Sequence, residues 1–467
     1  RASTVTNNTV YGNGADGVLV GVSAEGGAAP DTVLERNVVA QNQVQVKVQP
    51  NSFEGYVSVY NVVHGPVPFS GSTPRGDTDL IQDPLFVAPA GRDGILGGDG
   101  FRDDDFRLQQ GAVVSPAVDL DLNSVHSLAT GTTASSGIPD LGPADAGFHY
   151  PLGFGVSSFA SVLFVRAGGD DRLDGRTPAT AFATVGRALA DSRGPTLIVV
   201  APGSYRMDSL RIATTDSSIG PVVVLGDRTG RLTQTSPGEV RWDFSGGRGL
   251  TVAAPLFVDG IDVRNAGTTA VRVLAAASSF TLRNATVCGS GGDGLAIAAS
   301  RADLINNRIC GNAGWGVRVV TRRQGSFARL VNNTIAGNVR GGMWAVDRNR
   351  AGGGLRISNN IVARNGQGVF LYAGPGRSIP WGFNLNSDGY SRQAERLPAE
   401  VNADPLFAEV TSGISCPGPM GYLLLPGSPA MDAGTGALAE LGLWARSTRI
   451  DDLPDLGPVD LGYHWLP

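Results

Sequence analysis

The chain has 467 residues, 42% hydrophobic and 17% charged, with a formal net charge of −5. So sparse and slightly acidic a charge set holds no basic stripe to neutralise phosphates, which excludes nucleic acid as a partner. No run of 18 or more apolar residues is present to span a membrane as a helix, and the 66 Gly and 28 Pro follow no collagen period.

The chain opens on "RASTVTNN", which is not a signal peptide, and goes straight into a repeat. "NNTVYGNGADGVLV" (7–20) is written again as "NNTIAGNVRGGMWAV" (332–346). Aligned on the second Asn, the copies place Asn8, Asn37, Asn307, Asn333 and Asn360 together, with Ala285 in a further copy. Five residues on stand Asn13, Asn42, Asn312, Asn338 and Asn365, with Ser290 in the Ala285 copy. The spacing is 29 residues from 8 to 37, then 22, 26 and 27 from 285 through 307 and 333 to 360. A fixed pattern at irregular spacing means a constant coil with variable loops. Within each copy the period is two: Val18 and Val20 flank Leu19, Leu295 and Ile297 flank Ala296, Val317 and Val319 flank Arg318, Met343 and Ala345 flank Trp344. Such alternation reads as short half-buried strands, and "N-N-x-Val/Ile" supplies a second strand per copy. Asn and Gly tolerate left-handed backbone and suit the corners. One arrangement accommodates all of this, a parallel β-helix with coils stacked about 4.8 Å apart. The Asn residues then form a structural ladder of amides up the stack. A propeller blade needs about 40 residues, more than a copy holds.

Further along, Lys47, the one lysine against 36 arginines, takes an outward position; the bias itself is that of a GC-rich bacterial source. "GRDGILGGDGFRDDDFRL" (91–108) carries Asp93, Asp99, Asp103, Asp104 and Asp105 among glycines, a set able to wrap Ca2+, or else a solvated loop. Asp170, Asp171 and Asp174 read as turn and capping oxygens. Pro178 followed by the stripe Phe182, Val185, Ala188 and Leu189 predicts a helix over about 178–192. Cys288 and Cys310 hold the same place in consecutive coils, so stacking brings them into disulfide range, with a free buried pair as the other reading. Arg318, Trp344 and Phe370 fall at matching outward positions and form a candidate carbohydrate-binding strip, unless the stretch 373–400 with Trp381, Phe383 and Tyr390 folds over them. Of the four histidines, His149 and His464 sit in a repeated closing motif.

"DGRTPATAFATVGRALADSRGPTLIVVAPGSYR" (174–206) and the paired endings "DPLF…SPAVDLD…PDLGPADAGFHYP" and "DPLF…SPAMDAG…PDLGPVDLGYHWLP" resemble the right-handed parallel β-helix, pectin-lyase-like superfamily of bacterial secreted and surface proteins. The resemblance implies an all-β, right-handed β-solenoid in tandem units with a capping helix on the second. The closing motif occurs twice and the opening motif once. Residues 1–151 are therefore expected to be the C-terminal part of one unit. Residues 152–467 form a complete second unit, with coils over about 195–400 and a closing segment over about 401–467. A chain starting in mid-coil implies further sequence upstream, since bare strand edges template aggregation.

The superfamily includes lyases, epimerases, hydrolases, tailspikes and adhesins, so fold does not choose among them. The expected function is an extracellular or cell-surface structural and adhesive solenoid segment, non-catalytic, with a polysaccharide or cell-surface glycan and tandem self-association as partners. The alternative is a polysaccharide-processing enzyme. No catalytic residue is assigned, and Asp293 and Asp303 have a corner and a loop as their default places.

Overall fold

The chain divides into two compact units, Arg1–Ser158 and Phe159–Pro467. This computed structural model describes residues 3–21, 27–91, 94–97, 104–110, 113–125, 131–134, 137, 139–152, 158–213, 221–322, 325–349, 354–373, 379–390, 400–409, 415–418, 421–435, 443, 446–452, 455 and 458–465. In the second unit three sheets of nine, eight and seven strands are each parallel throughout. The chain visits them in turn. Arg301–Ile305, Arg308–Cys310 and Trp315–Thr321 make one coil, and Phe327–Val331 then pairs back onto Arg301–Ile305. The first unit repeats this with parallel sheets of three, four and two strands. The fold is the expected all-β parallel β-helix. Its inner face is a column of aliphatic residues: Leu304, Leu330 and Ile357 from the first sheet, Ile309 and Ile335 from the second, Val317, Met343 and Val369 from the third.

Register is fixed at the corners. The first Asn of each pair is left-handed, with φ of 57° at Asn306, 53° at Asn332 and 58° at Asn359. The second points its amide along the stack. Asn333 Oδ1 accepts both the backbone N–H and the Nδ2 of Asn307, each at 2.9 Å, and Asn333 Nδ2 donates to Asn360 Oδ1 at 2.9 Å and to the Leu304 carbonyl at 3.0 Å. In the first unit Asn8 bonds to Asn37 and Asn37 to Asn61 in the same way. Asn61 and Asn384 extend the two ladders; the pairwise "NN" pattern missed them because Tyr60 and Phe383 precede them. A second ladder joins Ser290, Asn312, Asn338 and Asn365, ending on Asp388. It also accounts for a recurrent glycine: a Cβ on Gly316 would stand 2.6 Å from the Nδ2 of Asn338.

The helix is shorter than its stripe implies. It runs Val185–Asp191 with Thr184 as N-cap, and the Asp171 carboxylate accepts from the N–H groups of Ala183 and Thr184. Residues 177–180 form a turn, and Phe182 bridges to Val165, which pulls the preceding segment into sheet-like pairing before the helix begins.

The closing segments are lids. The short second-sheet strands Thr286–Cys288, Thr334–Ala336 and Ile361–Ala363 are buried on both faces. Phe407, Tyr422, Leu424, Ala430 and Leu461 pack on their outer side; in the first unit Phe86, Leu108, Ala117 and Ala146 cover Val38, Ala40 and Val62. Both lids carry one clasp. His149 Nε2 meets Asp140 Oδ2 at 2.8 Å and His464 Nε2 meets Asp455 Oδ2 at 2.9 Å. Asp145 accepts the N–H of Asp119, and Asp460 that of Asp432, both at 2.7 Å; each also accepts a threonine hydroxyl, from Thr133 and Thr448. The left-handed Asn column grips the lid: Asn306 donates to the His464 carbonyl at 2.6 Å, Asn332 to that of Asp460 at 3.0 Å and Asn359 to that of Thr435 at 2.7 Å. Burial, and then the neighbouring Asp140 carboxylate, push Asp145 up to about 7. Burial and Asp455 likewise raise Asp460. At His149 burial pulls the imidazole down, but its bond to Asp140 and the nearby carboxylates outweigh this and raise it.

The expected Cys288–Cys310 pair is corrected. The two are in register, yet Cys288 is bridged to Cys416 across a Cα–Cα distance of 5.2 Å, and Cys310 is free and buried. Side chains of stacked parallel strands lie side by side, whereas the lid passes directly over this corner and brings Cys416 face to face with Cys288. Burial pushes the Cys310 thiol up to about 12.

Three outcomes follow. Asn333→Ala strips acceptors and donors from fully buried amides and is expected to cost about 3 kcal/mol in a urea titration; a loss within 0.5 kcal/mol would contradict the ladder. Alkylation of denatured, unreduced protein should label Cys310 alone; label on Cys288 or Cys416 refutes the bridge. A carboxyl whose folded pKa lies above its unfolded value binds more protons in the folded state, so it costs stability as pH rises through the interval. Asp145→Asn, permanently neutral, should therefore gain Tm relative to wild type as pH goes from about 5 to about 8, and a pH-independent difference speaks against the raised carboxyl.

Candidate functional site

The outer face of the third sheet carries one in-register column: Arg272, Ala296, Arg318, Trp344 and Phe370 on successive coils. Strand alternation puts their neighbours Val317, Val319, Met343 and Ala345 in the core. The Trp344 and Phe370 rings stack on each other, with centroids 5.7 Å apart and planes 12° from parallel. They therefore form a ladder of rings along the coils and do not lie side by side as a flat platform. Tyr372, exposed, begins a second column beyond Val320 and Val346.

Arg318 is held from one coil earlier. Its Nε and a terminal nitrogen both meet Asp293 Oδ2, at 2.8 and 2.7 Å, while Asp293 Oδ1 accepts the Trp315 N–H at 2.9 Å. The carboxylate side chain is 11% exposed and the guanidinium side chain 45%. Asp293 fixes the cation while leaving it reachable, and no local pattern signals the pair because the partner lies 25 residues away. Asp303 lies in a strand of the first sheet, paired with Arg329 at 2.9 Å. Among the described residues of the stretch 373–400, Trp381 and Tyr390 do not fold over the strip. Trp381 is buried as part of the next coil, in register with Ile357, and Tyr390 bridges to Val369 and packs edge-on to Trp381. Lys47, outward on the first unit's third sheet, faces Asp16 at 3.5 Å.

Of the acidic loop, Asp93, Asp99 and Asp103 lie outside the described residues. Asp104 accepts the Gly97 N–H, and Asp105 is a strand residue whose carboxylate turns to Arg107. Among the described residues, three oxygen ligands within 4.8 Å of one another occur elsewhere, at Asp432, Asp455 and Asp460 of the lid clasp. Such oxygens suit a hard divalent cation. Here two of the three carboxylates are already engaged by N–H and O–H donors from His464, Asp432, Thr448 and the Asp460 backbone.

Residues 250–379 match the family described as "Right handed beta helix region". No curated protein sequence matches the chain. Solved structures to which it is similar include a pectate lyase, Pel9A, at 16% identity over 66% of this chain and 98% of that one, with a TM-score of 0.40. A rhamnogalacturonan lyase matches at 16% over 52% and 66%, with a TM-score of 0.29. A PL6 family alginate lyase matches at 13% over 89% and 57%, with a TM-score of 0.21. The three stacked parallel sheets make the second unit a parallel β-helix, and its residues 250–379 are similar to the right-handed β-helix region that the family describes.

Proposed function

We propose that the chain is a non-catalytic segment of an extracellular or cell-surface bacterial solenoid protein, and that the third sheet of its second unit contacts a glycan. The observation that carries this reading is the in-register run of Arg318, Trp344 and Phe370, with Arg318 fixed by Asp293. A guanidinium held in one orientation offers directed donors to sugar hydroxyl or carboxylate oxygens. The ring ladder beside it supplies apolar edge to sugar C–H surface. Adhesion through such a face, and tandem self-association of units, are parts of the same proposal.

A second reading, a polysaccharide-processing enzyme, is favoured by one feature: Asp293 and Arg318 bring a carboxylate and a cation beside the aromatic stack. Affinity electrophoresis on a panel of neutral and acidic polysaccharides, with ultraviolet detection of unsaturated products, separates the two. The structural reading expects retention on at least one polysaccharide, lost about tenfold in Trp344→Ala with an unchanged Tm, and no product. Retention indifferent to Trp344→Ala removes the strip from the account. Product formation abolished by Arg318→Ala establishes the enzyme.

A further inference from the structure

Two short segments recur in both units and differ from each other at one position. Ala40-Gln41-Asn42 matches Ala363-Arg364-Asn365, and Asp83-Pro84-Leu85-Phe86 matches Asp404-Pro405-Leu406-Phe407. The backbones agree: φ is 57° at Gln41 and 59° at Arg364, 51° at Leu85 and 53° at Leu406. Both aspartates accept the N–H of the leucine two residues on at 2.9 Å. In the second unit Arg364 reaches across and its terminal nitrogen meets both oxygens of Asp404, at 3.3 and 3.1 Å. In the first unit the shorter, neutral Gln41 stands there, and Asp83 has no cationic partner among the described residues. What lies between is an open surface cavity of about 190 Å³, lined by Tyr11, Gln41, His64, Asp83, Phe86 and Gln109, with Gln41 and Asp83 exposed.

We propose that this cavity binds the guanidinium group of a ligand, seated on Asp83 where the second unit seats its own Arg364 on Asp404. The walls suit that group. Asp83 offers a carboxylate, and Gln41 and Gln109 offer amide oxygens that can accept further guanidinium N–H groups. Tyr11 and Phe86 line it and are backed by Phe106, with ring centroids 5.3 to 5.6 Å apart, and an aromatic wall favours a planar, weakly hydrated cation over a compact ammonium. Tyr11 and His64 flank Ala40 in register, so both walls are fixed by the coils. Burial, and then the Asp83 charge, raise the Tyr11 hydroxyl, which keeps it neutral beside the carboxylate. The volume falls below the roughly 300 Å³ of sites for drug-sized ligands and fits one side-chain-sized group.

Titration of the full chain with N-acetyl-arginine amide, followed by NMR or calorimetry, tests this directly. Saturable binding with a Kd on the order of 1 mM is expected. N-acetyl-glutamine amide should not bind, and the lysine analogue should bind more weakly. Asp83→Asn keeps the acceptor for the Leu85 N–H and should weaken binding at least tenfold. Gln41→Arg should abolish binding while leaving the melting temperature equal or higher, because it rebuilds the ion pair of the second unit. Methylguanidinium resolves the source. Equal binding points to a free guanidino compound, and preference for the amide points to an arginine within a polypeptide. The proposal is overturned by no saturable binding at tens of millimolar, by equal binding of the glutamine analogue, or by binding that survives Gln41→Arg in a folded protein.

Discussion

The structure depends on a column of buried amides. A stacked coil has no sequence-local reason to hold its register, since its strands are two to seven residues long and its loops vary. The second Asn of each pair supplies that reason. Its oxygen takes a backbone N–H and an amide N–H from the coil before, and its nitrogen serves the coil after and a carbonyl behind. At Asn37, Asn307, Asn333 and Asn360 these groups are buried, so an offset of one residue would leave several donors and acceptors unsatisfied at about 1–3 kcal/mol each. The ladder acts only at the corner, which is why spacing between copies can drift from 22 to 29 residues without loss of register. The second ladder, of Asn312, Asn338 and Asn365, also brings its amides against the neighbouring chain, and glycine follows at that place.

The other half of the Asn pair has a different task. In a left-handed conformation its side chain binds the lid, as Asn306, Asn332 and Asn359 do. Asn306 and Asn359 also donate to Asn284 and Asn332 of the coil before, so the second residue joins coil to coil and the first joins coil to lid as well as to its neighbour in the stack. The lid buries a sheet face that would otherwise be exposed, and its His–Asp clasp closes it in both units with the same distances to within 0.1 Å at the imidazole. Cys288–Cys416 is a covalent tie across the same interface.

These features were unequally legible in the sequence. The coils announce themselves because period-two alternation and the Asn pairs are local signals. The register of Arg318, Trp344 and Phe370 follows from the same alignment. The closing segments are visible as a repeated motif, but their place as lids is not, because they lack periodicity and their contacts span up to 158 residues, as between Asn306 and His464. For that reason the cysteine pairing misled: Cys416 sits in a stretch whose position over the second sheet no local pattern encodes. The capping helix was overextended because its apolar stripe includes Phe182, which belongs to a bridge and not to the helix. The Arg364–Asp404 pair and its absence at Gln41 and Asp83 emerge only when the two units are laid side by side.

A protein built this way places its rigid elements in the ladder and the lid and leaves the third sheet to present side chains outward. Whatever the strip and the first-unit cavity bind, they are held by coils whose register the amides enforce. Residue-resolved hydrogen exchange measures this directly. The backbone N–H groups of Asn307, Asn312, Asn333 and Asn338 lie at corners, outside any strand, yet each donates to a ladder oxygen. The account predicts that they exchange as slowly as the N–H groups of the buried strands beside them. Exchange at the rate of open turns would contradict it.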